Sequence, residues 1–95
     1  MKITQIKELP LRRFERDNYC IGKYDITLDN ELRVHNVLLK DLGEKMVVQW
    51  PTYRTDKGFF NYANPITRLF GDYCKNKLMA YYEENKNEVL DNETD

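Results

Sequence analysis

The chain contains no serine at all and only one histidine, His35, in 95 residues. Without serine there is no hydroxyl nucleophile of the acyl-transfer type. His35 has only Arg33 and Asn36 as polar neighbours along its strand, so no acid-base constellation forms around it, and no enzyme activity is expected. Cysteine is scarce too. Cys20 and Cys74 lack the close spacing of a ligand pair, and with one histidine they cannot supply the paired ligands of a zinc site; no metal or other cofactor is expected. No apolar run approaches the roughly 18 residues of a membrane span, and the amino terminus shows no charged-then-apolar leader pattern. The chain therefore reads as cytoplasmic, without a membrane partner, and its two cysteines as buried free thiols rather than a disulfide.

Charge is nearly balanced overall but unevenly placed. The formal net charge is −1. From Glu83 to the end, six acids face only Lys86, a local charge of −5, which leaves +4 on the 82 residues before them. Such asymmetry predicts a mildly basic domain, residues 1–84, followed by an acidic, unstructured tail, residues 85–95.

Hydrophobic periodicity predicts mostly strands. Lys2 to Phe14 reads as an edge strand kinked at Pro10, followed by a polar turn around Arg12, Arg13 and Arg16. From Cys20 to Leu28, apolar and polar residues alternate, the mark of a half-buried strand, and Asp29-Asn30 suits a tight hairpin turn. The return strand from Glu31 alternates until Val37, Leu38 and Leu39, which are apolar on both faces. A helix covering one face and a partner subunit the other would satisfy them, and this places Val37 and Leu39 at a homodimer interface. Met46 to Trp50 forms a strand that Pro51 ends. Thr52 to Lys57 reads as a loop and Gly58 to Tyr62 as a short last strand.

Asn64 or Thr67 can cap a helix with Pro65 in its first turn. Ile66, Phe70, Tyr73, Cys74, Leu78, Tyr81 and Tyr82 then recur at helical spacing, with Met79 facing away and Gly71 a candidate break. The expected fold is α+β: a twisted antiparallel β-sheet of four or five strands with a C-terminal α-helix packed on it.

The candidate binding residues lie in two groups. Arg54 follows Pro51, with Tyr53 beside it and Lys57 close behind; a guanidinium forks two donors to a phosphate while a ring offers a stacking face. Arg68, Lys75 and Lys77 give the helix a second basic patch, diluted by Asp72. Of the adjacent rings Phe59 and Phe60, only one can face the core. The other is left for the interface or ligand side. Asp29 and Glu31 flank a turn, where local hydrogen bonding is their expected role.

Several of these residues form a longer pattern. Ile26, Thr27, Leu28, Asp29, Glu31, Val34 and His35, then Asp41, Val48, Pro51, Arg54, Thr55, Gly58, Phe60, Pro65 and Ile66, resemble the SpoVG family of septation and sporulation regulators in order and spacing over residues 11–83. The resemblance implies a homodimeric bacterial regulator that binds DNA and/or RNA, linked to septation, sporulation and gene regulation. Through its match at Phe60 it also implies that this ring is the one in the core, with Phe59 and Tyr62 on the interface or ligand side. Besides a one-residue shortening near Tyr62 and an extra Glu8-Leu9-Pro10 near the start, the chain departs from the family where Phe70-Gly71-Asp72-Tyr73 stands in place of the charged, basic-containing segment that SpoVG proteins commonly carry. That implies either a weaker contact at the helix or one moved toward Arg12, Arg13 and Arg16. The competing expectation is a protein-interaction module working on other proteins through a sheet edge, the helix or the acidic tail, without nucleic acid.

Overall fold

Alternation from Cys20 to Leu28 builds the central strand, β2 (Cys20–Leu28), in which every second residue is buried and those between are half-buried. The computed structural model describes the backbone of residues 1–94 and the side chains of residues 1–85. Its other elements are β1 (Ile3–Glu8), α1 (Arg13–Asp17), β3 (Leu32–Asp41), β4 (Met46–Gln49), β5 (Thr52–Thr55), β6 (Gly58–Asn61) and α2 (Arg68–Thr94). α2 carries the backbone of the expected unstructured tail, 85–95, as far as Thr94, while its side chains beyond Asn85 lie outside the described residues. Among the described residues no helix is long and apolar enough to cross a membrane.

The architecture is the expected α+β one. An antiparallel sheet runs in the order β1-β2-β3-β4, and β5 and β6 form a separate two-stranded ribbon. β1 lies at the edge and stops before Pro10, its last link being the Leu9 amide donating to the Lys23 carbonyl at 2.8 Å. Asp29 and Asn30 turn the chain between β2 and β3 with φ of 52° and 57°, a left-handed geometry that these two residue types adopt at low cost.

β3 departs from simple alternation. Tyr24 pairs with Val37 and Ile26 with Val34, so the single residue Asp25 faces both His35 and Asn36. Asn36 takes a φ of 60° at this bulge. The inserted residue shifts the alternation by one, and Val34, Val37 and Leu39 all come to lie in the core. Val37 and Leu39, expected at a subunit interface, are therefore fully buried inside the chain's own core, and only Leu38 faces the other side.

α2 closes that core. Leu78 is buried against Tyr24, Ile26 and Leu39, with Phe70, Met79, Tyr81 and Tyr82 packed around it. The Tyr24 and Tyr81 rings meet edge to face at 5.6 Å. Gly22 is required by the same packing, since a Cβ there would collide with the Tyr24 ring and hydroxyl. Thr67 caps the helix: its Oγ1 accepts the Phe70 amide at 3.2 Å. Because α2 begins only at Arg68, Pro65 precedes its first turn and Ile66 is 96% exposed instead of packed. Met79, expected to face away, packs on the core, and Gly71 sits within an unbroken helix.

Three other segments differ from the sequence reading. The polar turn around Arg13 is a short helix, because the Glu15 carboxylate reaches back to accept the Arg12 amide at 2.9 Å and closes a first turn. Thr52–Thr55, read as loop, is β5, paired with β6 so that Arg54 lies opposite Phe59 and Tyr53 opposite Phe60. Since this ribbon pairs with no strand of the main sheet, Phe60 is 45% exposed rather than part of the core.

Candidate nucleic-acid interface

α2 covers the Tyr24 and Leu39 face of the sheet, so the residues between them in β2 and β3 line the opposite face. There Lys23, Leu38 and Gln49 form one cross-strand row. α1 and the β5–β6 ribbon add to this surface and complete a groove of about 880 Å³. Four bases (Arg12, Lys23, Arg33 and Lys40) line it against one acid, Glu15, a net +3 without His35.

That acid has a structural task. Glu15 pairs with Lys23 at 3.3 Å while accepting the Arg12 amide, so it ties α1 to β2. Burial works against its charge. The Arg12 amide, the Lys23 hydrogen bond and the charges of both residues outweigh this and hold the carboxyl below its ordinary value. With Lys23 so engaged, the cations left to meet a ligand are Arg12, Arg33 and Lys40, none of which makes a side-chain ion pair among the described residues.

His35 also lines the groove, and its orientation is fixed by the bulge. Asp25 Oδ2 lies 3.0 Å from His35 Nδ1, and Asp25 Oδ1 accepts the Asn36 amide at 3.1 Å. Burial raises the Asp25 pKa, but the hydrogen bonds from His35 and Asn36 and the charges of His35 and Lys7 prevail and lower it overall. With Nδ1 held by Asp25, His35 offers Nε2 to a ligand.

Aromatic residues supply the rest of the wall. Phe14, Trp50, Phe59 and Tyr62 all line the groove. Phe59 and Tyr62 are 72% and 73% exposed. The Arg54 guanidinium lies 5.9 Å from the centre of the Phe59 ring, and Tyr53 packs against Tyr62 at 4.8 Å. Cys20 and Cys74 are buried free thiols, as the sequence predicts. Burial raises both, Cys74 to about 11, which keeps them protonated at neutral pH.

The six predicted contact residues are not brought together. Tyr53, Arg54 and Lys57 share the ribbon and border the groove through Phe59 and Tyr62. Lys57 sits in the tight turn, where its amide donates to Thr55 Oγ1 at 3.2 Å. Arg68, Lys75 and Lys77 lie on α2, outside the groove lining. Arg68 pairs loosely with Asp72 at 3.8 Å, and Lys77 lies over the Tyr73 ring at 5.8 Å. Arg33, Lys40 and Trp50 also line the groove and were not singled out from the sequence. For Arg33 and Lys40 the signal is the strand alternation that buries Val34 and Leu39, because it sends the charged residues beside them to the other face.

No protein-family model matches the chain. It is 32% identical over 84 residues to the septation protein SpoVG 1 of Listeria monocytogenes, covering 87% of this chain and 79% of the relative. It is 30% identical over 83 residues to the septation protein SpoVG of Geobacillus thermodenitrificans, covering 86% and 83% of the two chains. A third relative, from Staphylococcus epidermidis and of the same name, is 28% identical over 100 residues, covering 98% and 95%.

Proposed function

The chain belongs to the SpoVG family of septation proteins, and from that premise we propose that it is a nucleic-acid-binding regulator whose contact surface is the groove opposite α2. The observation that carries this reading is the pairing of a net +3 lining with exposed rings in one concavity. Arg12, Arg33 and Lys40 are the phosphate contacts, and the aromatic wall meets sugars and bases. The protein acts by binding rather than catalysis, in septation, sporulation or the control of genes that serve them.

Homodimerisation is part of the proposal. Ile66 and Leu69 are 96% and 85% exposed beside the start of α2, apolar surface that a second copy would cover. The same surface favours a second reading, a protein-interaction module that does without nucleic acid.

Fluorescence anisotropy with labelled oligonucleotides at low salt separates the two readings. Arg33→Ala combined with Lys40→Ala should weaken binding at least about tenfold, whereas Lys75→Ala combined with Lys77→Ala should leave it within about twofold. No binding by the unaltered protein, or loss only in the helix variant, contradicts the groove assignment. Sedimentation of Leu69→Asp tests self-association, with dissociation to monomers as the expected result.

A further inference from the structure

We propose that the groove takes single-stranded nucleic acid, with unpaired bases stacked on Phe59 and Tyr62 and the backbone held by Arg33 and Lys40; this rests on the nucleic-acid reading above. Charge and rings are separated in a way that suits a single strand. Arg33 and Lys40 come from β3, in the sheet, while Phe59 and Tyr62 come from the ribbon segment. Phe59 packs with Arg54 and Tyr62 with Tyr53, on opposite faces of the ribbon. Both rings reach the groove lining, where a strand with its phosphates toward β3 can set a base on each. A duplex cannot do this, since its bases are already stacked and paired and present only their edges in the grooves.

The rings are exposed yet held in place. The Tyr62 amide donates to the Pro51 carbonyl at 2.8 Å, and its ring rests on Tyr53. Phe59 lies under the Arg54 guanidinium and faces it across the ribbon. Both are thus ordered before any ligand arrives, so stacking does not have to immobilise them. Leaving two such large rings largely exposed in a small domain costs favourable burial, and a stacked base restores it. Arg54 and Tyr53 accordingly act behind the rings as positioning residues. DNA and RNA strands alike fall within the proposal.

Duplex binding by the ribbon is the competing arrangement, because a two-stranded β-ribbon fits a major groove. In that case Arg54 and Lys57 at its tip would carry the contact. The test uses one sequence of about 12 nucleotides as single-stranded DNA, single-stranded RNA, duplex DNA and an abasic strand with the same phosphates, a length within the usual range for such sites. Anisotropy gives affinity. Emission from Trp50, the sole tryptophan and a residue of the groove wall, reports a stacked base by quenching.

Single strands of both kinds should bind at least about tenfold more tightly than the duplex at the same salt, quench Trp50, and lose most of that advantage when abasic. Phe59→Ala and Tyr62→Ala should each weaken single-strand binding about five- to a hundredfold without changing its salt dependence, and Phe59→Tyr should restore it. Both side chains are exposed, so folding is not at stake. Equal or tighter duplex binding lost in Arg54→Ala with Lys57→Ala overturns the proposal while leaving nucleic-acid binding intact. Unchanged strand affinity in the ring variants also overturns it, and if a dimer falls apart in them the rings belong to self-association. No binding of any oligonucleotide overturns the functional reading itself.

Discussion

Asp25 and His35 face each other across the bulge in β3, with Oδ2 and Nδ1 at 3.0 Å, and the same carboxylate holds the Asn36 amide. One side chain thus fixes both the extra residue of the strand and the imidazole beside the groove. The bulge is what returns Val37 and Leu39 to the core. Asp25 therefore links the packing of one sheet face to the groove on the other.

Asp25→Ala should destabilise the protein by about 1–3 kcal/mol at pH 7, since a strand amide and a ring nitrogen lose their shared acceptor. The Asp25 pKa is lowered on folding, so its stabilising effect is complete above the ordinary carboxylate value and fades as pH falls through the folded value. In urea titrations the gap between wild type and variant should narrow from about pH 4 downward. A gap of the same size at pH 7 and pH 2 would contradict the ionised carboxylate as its source.

Tyr24 presents the opposite case. Its ring is fully buried, and its hydroxyl has no hydrogen-bond partner among the described residues. Burial, reinforced by Glu8, Tyr81 and Tyr82, raises its pKa far above the ordinary value. Tyr24→Phe should leave the urea midpoint unchanged or raised, because an unsatisfied hydroxyl is removed. A loss beyond about 1 kcal/mol would mean that the hydroxyl has a partner. Gly22→Ala, by forcing a Cβ against the same ring, should cost about 1–3 kcal/mol.

The central strand and its hairpin turn were legible in the sequence because β2 alternates without exception and Asp29-Asn30 leaves few choices for the turn. The bulge was not. In Val34-His35-Asn36-Val37 a one-residue shift is hidden until the partner strand is known, and the only local signal was an asparagine tolerant of positive φ. The ribbon escaped for a related reason: four residues too short and polar to alternate form β5 only because β6 pairs with them. Arg54 and Tyr53 were found as candidates because they sit beside a proline-marked break. Arg33 and Lys40 were overlooked because each looks like an ordinary solvent-facing strand residue until α1 and the ribbon rise around it.

Tyr73 joins α2 to the sheet edge, its hydroxyl accepting the Ile3 amide at 3.0 Å. Tyr73→Phe should cost about 1 kcal/mol and speed exchange of the Ile3 amide hydrogen, with little change at the centre of β2. Loss of the Thr67 cap in Thr67→Ala should cost a similar amount, about 1 kcal/mol, and Thr67→Ser should recover most of it. Equal exchange at Ile3 in wild type and Tyr73→Phe would show that the hydroxyl does not hold the edge strand.

Salt dependence of binding tests the groove most directly. Three cations without an ion pair among the described residues, Arg12, Arg33 and Lys40, line it, and a plot of log affinity against log salt concentration should fall with a slope of about 2 to 3. The combined Arg33→Ala and Lys40→Ala variant should reduce that slope by about 1.5 to 2 units at every oligonucleotide sequence tried. A slope that stays at the wild-type value in this variant, or one near zero in the wild type, would contradict a charge-lined nucleic-acid groove on the face opposite α2.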